Sequence, residues 1–285
     1  MRDTAQKQLL IGLPATGKTT FLAALWHVVD SEEIPGSLRL KTLDGDCTYP
    51  NKIRNDWLSC RPFGRTTITP EQFVSMQLTE PATGRTAEVF FPDMSGESFH
   101  LQWKDRSWTK VYDTLVRNAM GVLLFVHPKQ VVEPMRIDFA DPLAEELGAV
   151  KNSDSAAQDE GVTWDAALTP TQVQLVELLQ FLLLRVAERT PFRVAMVVSA
   201  WDLVCQEGRS PEEWLARRLP LLDQYLKGNP ELFTTRVYGV SAQGGDLQQD
   251  IDLLREKHRH SERITIVGQD CLQHDLTAPV RWLMS

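Results

Sequence analysis

Apolar positions along the chain fall into two patterns. Gln8–Ile11, Gly121–His127, Arg193–Ala200 and Thr235–Ser241 are short, nearly continuous apolar runs. Such runs predict strands buried on both faces. Between them, apolar residues recur at helical spacing. Phe21, Leu22, Leu25, Val28 and Val29 lie near one face of a helix over Lys18–Val29. A leucine-rich helix follows Thr169-Pro170 and runs through Gln172–Arg189. Trp103–Met120 is predicted helical, Ser210-Pro211-Glu212-Glu213 has capping-box spacing and opens a helix to about Lys227, and Leu276–Met284 reads as a terminal helix. Phe73–Glu80 alternates, and the turn Pro81–Arg85 joins it to Thr86–Pro92, which predicts a hairpin. Leu38, Leu40 and Leu43 alternate in an otherwise irregular stretch from Ser37 to Thr69, and Ile264–Gly268 reads as one more short strand. Buried strands separated by helices predict an α/β fold: a mainly parallel sheet with one antiparallel hairpin strand and helices on both faces. The whole chain, 1–285, reads as one domain with an insertion at about 128–167, whose Ser/Asp/Gln-rich middle, Lys151–Glu160, is expected to be a loop.

Composition narrows this picture. At 285 residues, with 42% hydrophobic and 24% charged residues, the chain can bury a full core without staples. A net charge of −8 argues against a protein that coats nucleic acid. The four cysteines share no C-x-x-C spacing, which argues against a disulfide scaffold or a zinc ribbon. The apolar runs Gly121–Val126 and Val194–Val198 are far shorter than the roughly 20 residues of a membrane span. The first residues show no apolar signal region, so a cytoplasmic location is expected.

The chemistry begins at Gly12-Leu13-Pro14-Ala15-Thr16-Gly17-Lys18-Thr19, a full match to G-x-x-x-x-G-K-[ST] between a predicted strand and a predicted helix. Two glycines let the backbone curl so that successive N–H groups form an anion nest, to which the helix start adds its positive dipole end. Lys18 is placed to reach the β- and γ-phosphates of a nucleotide, and the Thr19 hydroxyl to ligate Mg²⁺. The nucleotide contacts expected here come from Gly12, Pro14, Ala15, Thr16, Gly17, Lys18, Thr19 and Thr20. Such a site needs a carboxylate at the end of another strand. Glu88–Pro92 ends in Asp93, and Asp93-Met94-Ser95-Gly96 reads D-x-x-G. Asp93 would hold the metal shell, and the Gly96 amide would sense the γ-phosphate.

With these motifs the chain resembles the TRAFAC class of P-loop GTPases, the group of Ras-like G domains, and two later elements extend the likeness. Ser199-Ala200-Trp201-Asp202 stands where that class carries N-K-x-D, and Val240-Ser241-Ala242 where it carries its S-A element. The resemblance implies a Ras-like fold, GTP/GDP and Mg²⁺ as ligands, and hydrolysis of GTP, slow without a partner. It gives Asp202 the guanine edge and assigns base contacts to Ser241 and Ala242. It places a Mg²⁺-contacting threonine in Arg65–Thr69, where Thr67 is chosen over Thr66 and Thr69. Glu97 stands where Ras-like proteins carry the water-orienting glutamine, and the choice between orienting water and repelling the γ-phosphate stays open. Ser199 and Ala200 depart from the motif's asparagine and lysine, and Trp201 is the candidate for base stacking in their place. Arg61 or Arg65 is a candidate arginine finger, with a solvated loop arginine as the preferred reading. Ala15–Thr19, Asp93–Glu97 and the tail Leu276–Leu283 most resemble bacterial double-GTPase families of conflict or defence gene clusters. That likeness implies a second GTPase or an effector as partner.

Rival readings stay open: a nucleotide-binding module that does not turn over, or a P-loop ATPase or small-molecule kinase. His27 and His100 read as core or surface histidines, and His258 and His260 as a solvated loop with metal-capable side chains. Arg217 and Arg218 read as a solvated face, and Trp103 and Trp108 as either core or a partner surface.

Overall fold

The structure is a computed structural model that describes residues 5–44, 48–63, 73–92, 103–134, 169–186 and 189–285. Among the described residues, eight strands form one sheet: β1 (Gln6–Gly12), β2 (Arg39–Asp44), β3 (Phe73–Thr79), β4 (Thr86–Pro92), β5 (Gly121–Val126), β6 (Phe192–Ser199), β7 (Phe233–Ser241) and β8 (Thr265–Val267), in the order β2-β3-β4-β1-β5-β6-β7-β8. The five central strands run parallel. β3 is antiparallel to β2 and β4, and β8 adds an antiparallel edge to β7.

The continuous apolar runs end up where two-sided burial requires. All six residues of β5 are buried, and their side chains alternate between two cores. Leu123 and Phe125 join Leu10, Ala195 and Val197 on one face, packed by α1 (Lys18–Ser31), α2 (Thr48–Leu58) and the terminal helix (Ala278–Leu283). Val122, Leu124 and Val126 join Leu9, Ile11, Val194 and Met196 on the other, packed by α3 (Lys110–Asn118), α4 (Thr171–Val186), α5 (Pro211–Arg218) and α6 (Pro220–Gly228). This is the two-residue period of a strand with helices on both faces.

Three elements differ from expectation. α2 lies in the stretch read as irregular. It is polar overall and buries only Pro50, Ile53 and Trp57, a narrow stripe on one face. The helix expected over Trp103–Met120 is interrupted: residues 103–105 are helical, Arg106 sits at a φ of 49° and breaks the run, and the Thr109 hydroxyl accepts from the Tyr112 amide at 3.2 Å to start a new helix over Lys110–Asn118. The helix expected from Ser210 to about Lys227 is two. Its capping box is present, with Ser210 N donating to Glu213 Oε2 at 2.8 Å. Leu219 then leaves the helical region (φ −133°, ψ 57°) ahead of Pro220, which lacks an amide and disfavours helix at the residue before it.

The tail is tied to the sheet by buried polar contacts. Gln8 Nε2 donates to the Val280 carbonyl at 3.0 Å, and the Leu38 amide donates to Thr277 Oγ1 at 3.1 Å. α7 (Ile251–Arg255) precedes β8, and the terminal helix is α8. Among the described residues no helix is long and apolar enough to cross a membrane.

Candidate functional site

β1 lies between β4 and β5: α1, which follows β1, packs on one face of the sheet, and α3, which lies between β4 and β5 in sequence, packs on the other. Such a reversal opens a crevice at the strands' carboxyl ends, where open α/β sheets bind ligands. The loop Gly12–Gly17 occupies it. Gly12 has a φ of 151°, and a Cβ there would lie 2.8 Å from the Phe125 carbonyl oxygen of β5. Gly17 caps α1 in the left-handed region (φ 83°), and a Cβ there would meet Ser199 at 3.2 Å. Both positions therefore require glycine: the first by close approach, the second by conformation and contact together. Thr16 is buried and donates its hydroxyl to the Leu13 carbonyl at 2.8 Å, which closes the turn. The Lys18 ammonium lies over the loop, donating to the carbonyls of Gly12 (2.8 Å) and Leu13 (2.6 Å). Thr19 stands beside it, and the two line a small pocket with Tyr49 and Phe91.

A cavity of about 330 Å³ runs from the loop to the ends of β6 and β7. Gly17 and Thr20, Ser199, Ala200 and Asp202, and Ser241 and Ala242 all line it. Residues from three distant stretches of sequence thus share one space of small-molecule size. Ser241 is buried and donates its hydroxyl to Asp202 Oδ1, and the Gly244 amide donates to Ser241 Oγ at 3.2 Å. The Ala242 carbonyl accepts from Trp57 Nε1 of α2 at 3.0 Å, so the overlooked helix anchors this loop. Ser199 donates its hydroxyl to the Val126 carbonyl at 3.2 Å and abuts Gly17, which joins the end of β6 to the loop.

Trp201 lies elsewhere. Its ring is buried in the core against Gly239 of β7, where an added Cβ would come within 2.4 Å of it, and it does not line the cavity. Asp93, Gly96, Glu97 and Thr67 lie outside the described residues, as do Arg65, Thr66, Thr69, His100 and most of the expected insertion. Pro14 and Ala15 shape the loop, Ala15 at a φ of 55°.

His127, Lys129 and Gln243 also line the cavity, and no sequence motif marks any of the three. His127 directly follows β5 and accepts from the Lys129 amide through Nδ1 at 3.1 Å. Burial, then the Lys129 charge, push its pKa down, against the pull of Asp202. Gln243 Nε2 is buried without a partner among the described residues. A donor stranded beside a cavity suits a ligand acceptor placed there. Its signal was its position, directly after Ser241-Ala242. A separate apolar cavity of about 360 Å³ is lined by Leu13, Trp103, Trp108, Leu178, Phe181 and Arg185. Trp108 packs edge-on against Tyr112 and Phe181 there, so it joins core and surface.

A glycine-built anion loop at the crevice of a mostly parallel sheet, with a base-sized cavity beside it, defines a P-loop nucleotide-binding fold of the Ras-like kind. The chain belongs to the Double-GTPase 1 family, whose family model matches residues 9–283. No curated protein matches it. Among solved structures, the bacterial selenocysteine-specific elongation factor EF-Sec is similar at 14% identity (TM-score 0.40), with 88% of this chain and 27% of that chain covered. This chain thus spans about a quarter of that protein. The SRb-GTP/SRX complex of the signal recognition particle receptor from Chaetomium thermophilum is similar at 16% identity over 88% of this chain and 96% of that chain (TM-score 0.39). Roco2 of Methanosarcina barkeri, bound to GDP, is similar at 11% identity over 93% of this chain and 52% of that chain (TM-score 0.35).

Proposed function

We propose that the chain is a guanine-nucleotide switch that hydrolyses the β–γ bond of GTP, slowly when alone, and whose nucleotide state is read by a second GTPase or an effector protein. The observation that supports this most is the single cavity shared by Gly17, Asp202, Ser241 and Ala242. The Asp202 carboxylate is an acceptor held in place by Ser241. It suits the N1–H and N2–H donors of guanine, and adenine offers no such pair on that edge. The Ala242 amide and Gln243 Nε2 are donors suited to guanine O6.

On the phosphate side, Lys18 would exchange the Gly12 and Leu13 carbonyls for β- and γ-phosphate oxygens, and the loop amides would share that charge. Thr19 and Asp93, with Thr67, offer the hard oxygen donors that Mg²⁺ prefers. When bound, the ion would neutralise charge on the β- and γ-oxygens. The Gly96 amide would face the γ-phosphate, and Glu97 would orient the attacking water. Phosphoryl transfer is catalysed by positioning and electrostatics, so a partner that orders these groups would set the rate. A role in bacterial defence follows only from the family resemblance. A second reading, nucleotide binding without turnover, is favoured by Glu97, a carboxylate where Ras-like proteins carry glutamine.

Calorimetric titration with Mg²⁺ tests the proposal: GDP, a non-hydrolysable GTP analogue and the adenine equivalents, against wild type, Lys18→Ala and Asp202→Ala. Guanine-selective binding lost in both variants is expected. Equal affinity for adenine nucleotides, unchanged by Asp202→Ala, overturns it. Phosphate release from GTP then separates the switch from the silent binding module.

A further inference from the structure

At the far end of α1 from the phosphate loop, two histidines that read separately, one as a core or surface residue and one as part of a solvated loop, meet across one carboxylate. His27 is buried on α1, Glu33 follows the helix, and His260 opens the short helical turn His260–Arg263 ahead of β8. One ligand atom from each lies within 4.8 Å of the other two. His27 Nε2 and Glu33 Oε1 are 3.2 Å apart. The rings of His27 and His260 stand edge to face, with centroids 5.6 Å apart.

From these positions we propose a second metal site, independent of the nucleotide, in which His27, Glu33 and His260 bind a zinc-class divalent cation with one position left for water. Two imidazoles and a carboxylate form a donor set that zinc accepts. With bonds of about 2.0–2.1 Å, ligand atoms around a tetrahedral zinc sit about 3.3 Å apart. The His27–Glu33 spacing of 3.2 Å is close to that, and His260, being exposed, has room to close. The second oxygen of Glu33 accepts from the Ser261 amide at 3.1 Å, which orients the carboxylate as an outer-shell bond does at metal sites. His27 Nε2 hydrogen-bonds Glu33 Oε1 at 3.2 Å, and a cation would take the place of that bond, with the ring proton carried on Nδ1, which has no partner among the described residues. Burial lowers the pKa of both histidines, and a neutral imidazole is the metal-binding form.

Two cations border the cluster, and each has an anchor of its own. Arg54 pairs with Asp30 at 2.7 Å. Arg263 stacks on Trp57, 4.1 Å from the ring centroid, and donates to Cys60 Sγ at 2.8 Å. They raise the cost of a dication and leave the ligand set in place. His27 follows Lys18 by nine residues on one helix, roughly 13 Å along its axis, so the site is separate from the Mg²⁺ position. Filled, it would join the end of α1 to the segment before β8.

Cobalt(II), added to the full-length chain after chelator treatment and without nucleotide or Mg²⁺, tests this. The expected result is one Co²⁺ per chain with the intense visible absorption of a four-coordinate centre, displaced by Zn²⁺. His260→Ala changes an exposed residue and Glu33→Gln keeps shape, so neither endangers folding. Each is expected to weaken binding at least tenfold, while His258→Ala and Lys18→Ala leave it unchanged. No four-coordinate absorption, or absorption that survives both His260→Ala and Glu33→Gln, overturns the proposal and leaves an ordinary His27–Glu33–Ser261 hydrogen-bond network.

Discussion

Ser241, the last residue of β7, donates its hydroxyl to the carboxylate of Asp202, which follows β6. The bond links two motifs from neighbouring strand ends, and the Gly244 amide holds Ser241 from behind at 3.2 Å. Ser241→Ala removes the donor that orients Asp202 and leaves the carboxylate at the cavity wall. A hydrogen bond to a charged group is worth about 1.5–3 kcal/mol, so GDP affinity is expected to fall about tenfold or more. ADP affinity should barely move. Calorimetry on both nucleotides checks this, and an equal loss for both would separate Ser241 from base selection.

Lys129 enters the same cavity from the turn after β5, on the far side of β6 from Ser241. Ala200 stands where the resembled motif carries a lysine over the base, and Lys129 offers a cation from another strand. Its charge is felt by His127 and by Asp246 on the cavity rim. If its stem covers the base, Lys129→Ala should weaken GDP binding three- to tenfold, about 0.7–1.4 kcal/mol. Lys129→Met, which keeps the apolar stem, should recover most of that. A nucleotide-analogue fluorescence titration of the two variants decides it, and unchanged affinity in Lys129→Ala would remove the residue from the site.

What the residues disclosed in advance, and what they hid, follows from how local each signal is. β5 and β6 were legible because strands buried on both faces are apolar throughout. The phosphate loop was legible because anion nests demand glycine at fixed spacing. α2 was hidden because three buried residues in eleven give little periodicity, although they hold Trp57 against the Ala242 loop. Trp201 sat beside Asp202 in sequence and looked available for the base, but Gly239 on the adjacent strand makes the space that takes its ring into the core. Lys129 and the His27–His260 meeting depend on which strands and helices become neighbours, and no spacing within a segment carries that. The break at Leu219-Pro220 was written in the proline and was overridden by the regular apolar spacing around it.

Arg281 of the terminal helix donates to Asp275 Oδ2 at 2.8 Å and to the Gly36 carbonyl at 2.8 Å, and it faces Glu80 at 3.6 Å. The Asp275 side chain is fully buried. It also accepts from the Thr277 amide at 3.0 Å and hydroxyl at 2.5 Å, so part of its charge stays satisfied without Arg281. Arg281→Met keeps the stem and strips the charge from a buried pair, which costs about 3 kcal/mol. The urea midpoint should fall accordingly, and Asp275→Asn in the same background should restore part of it. A loss under about 0.5 kcal/mol would mean that the tail is not held through this pair.

Acid should loosen the protein through its histidines. Burial is the largest cause that lowers the pKa of His27, His127 and His260 below the ordinary value of 6.5. In the unfolded chain each would titrate near 6.5, so just below that pH the unfolded state binds more protons than the folded one. Stability therefore rises with pH through that window. The contribution is complete above about pH 6.5 and is lost as pH falls from there through the folded-state values. Urea midpoints measured with chelator present, so that no metal competes for His27 or His260, should be flat from pH 7.5 to 7 and decline from pH 6.5 to 5.5. His27 carries the most buried of the three rings, and His27→Gln should flatten that decline even if it lowers stability overall. A slope unchanged in His27→Gln would assign acid sensitivity to other groups, and a midpoint that rises on acidification would reverse the sign.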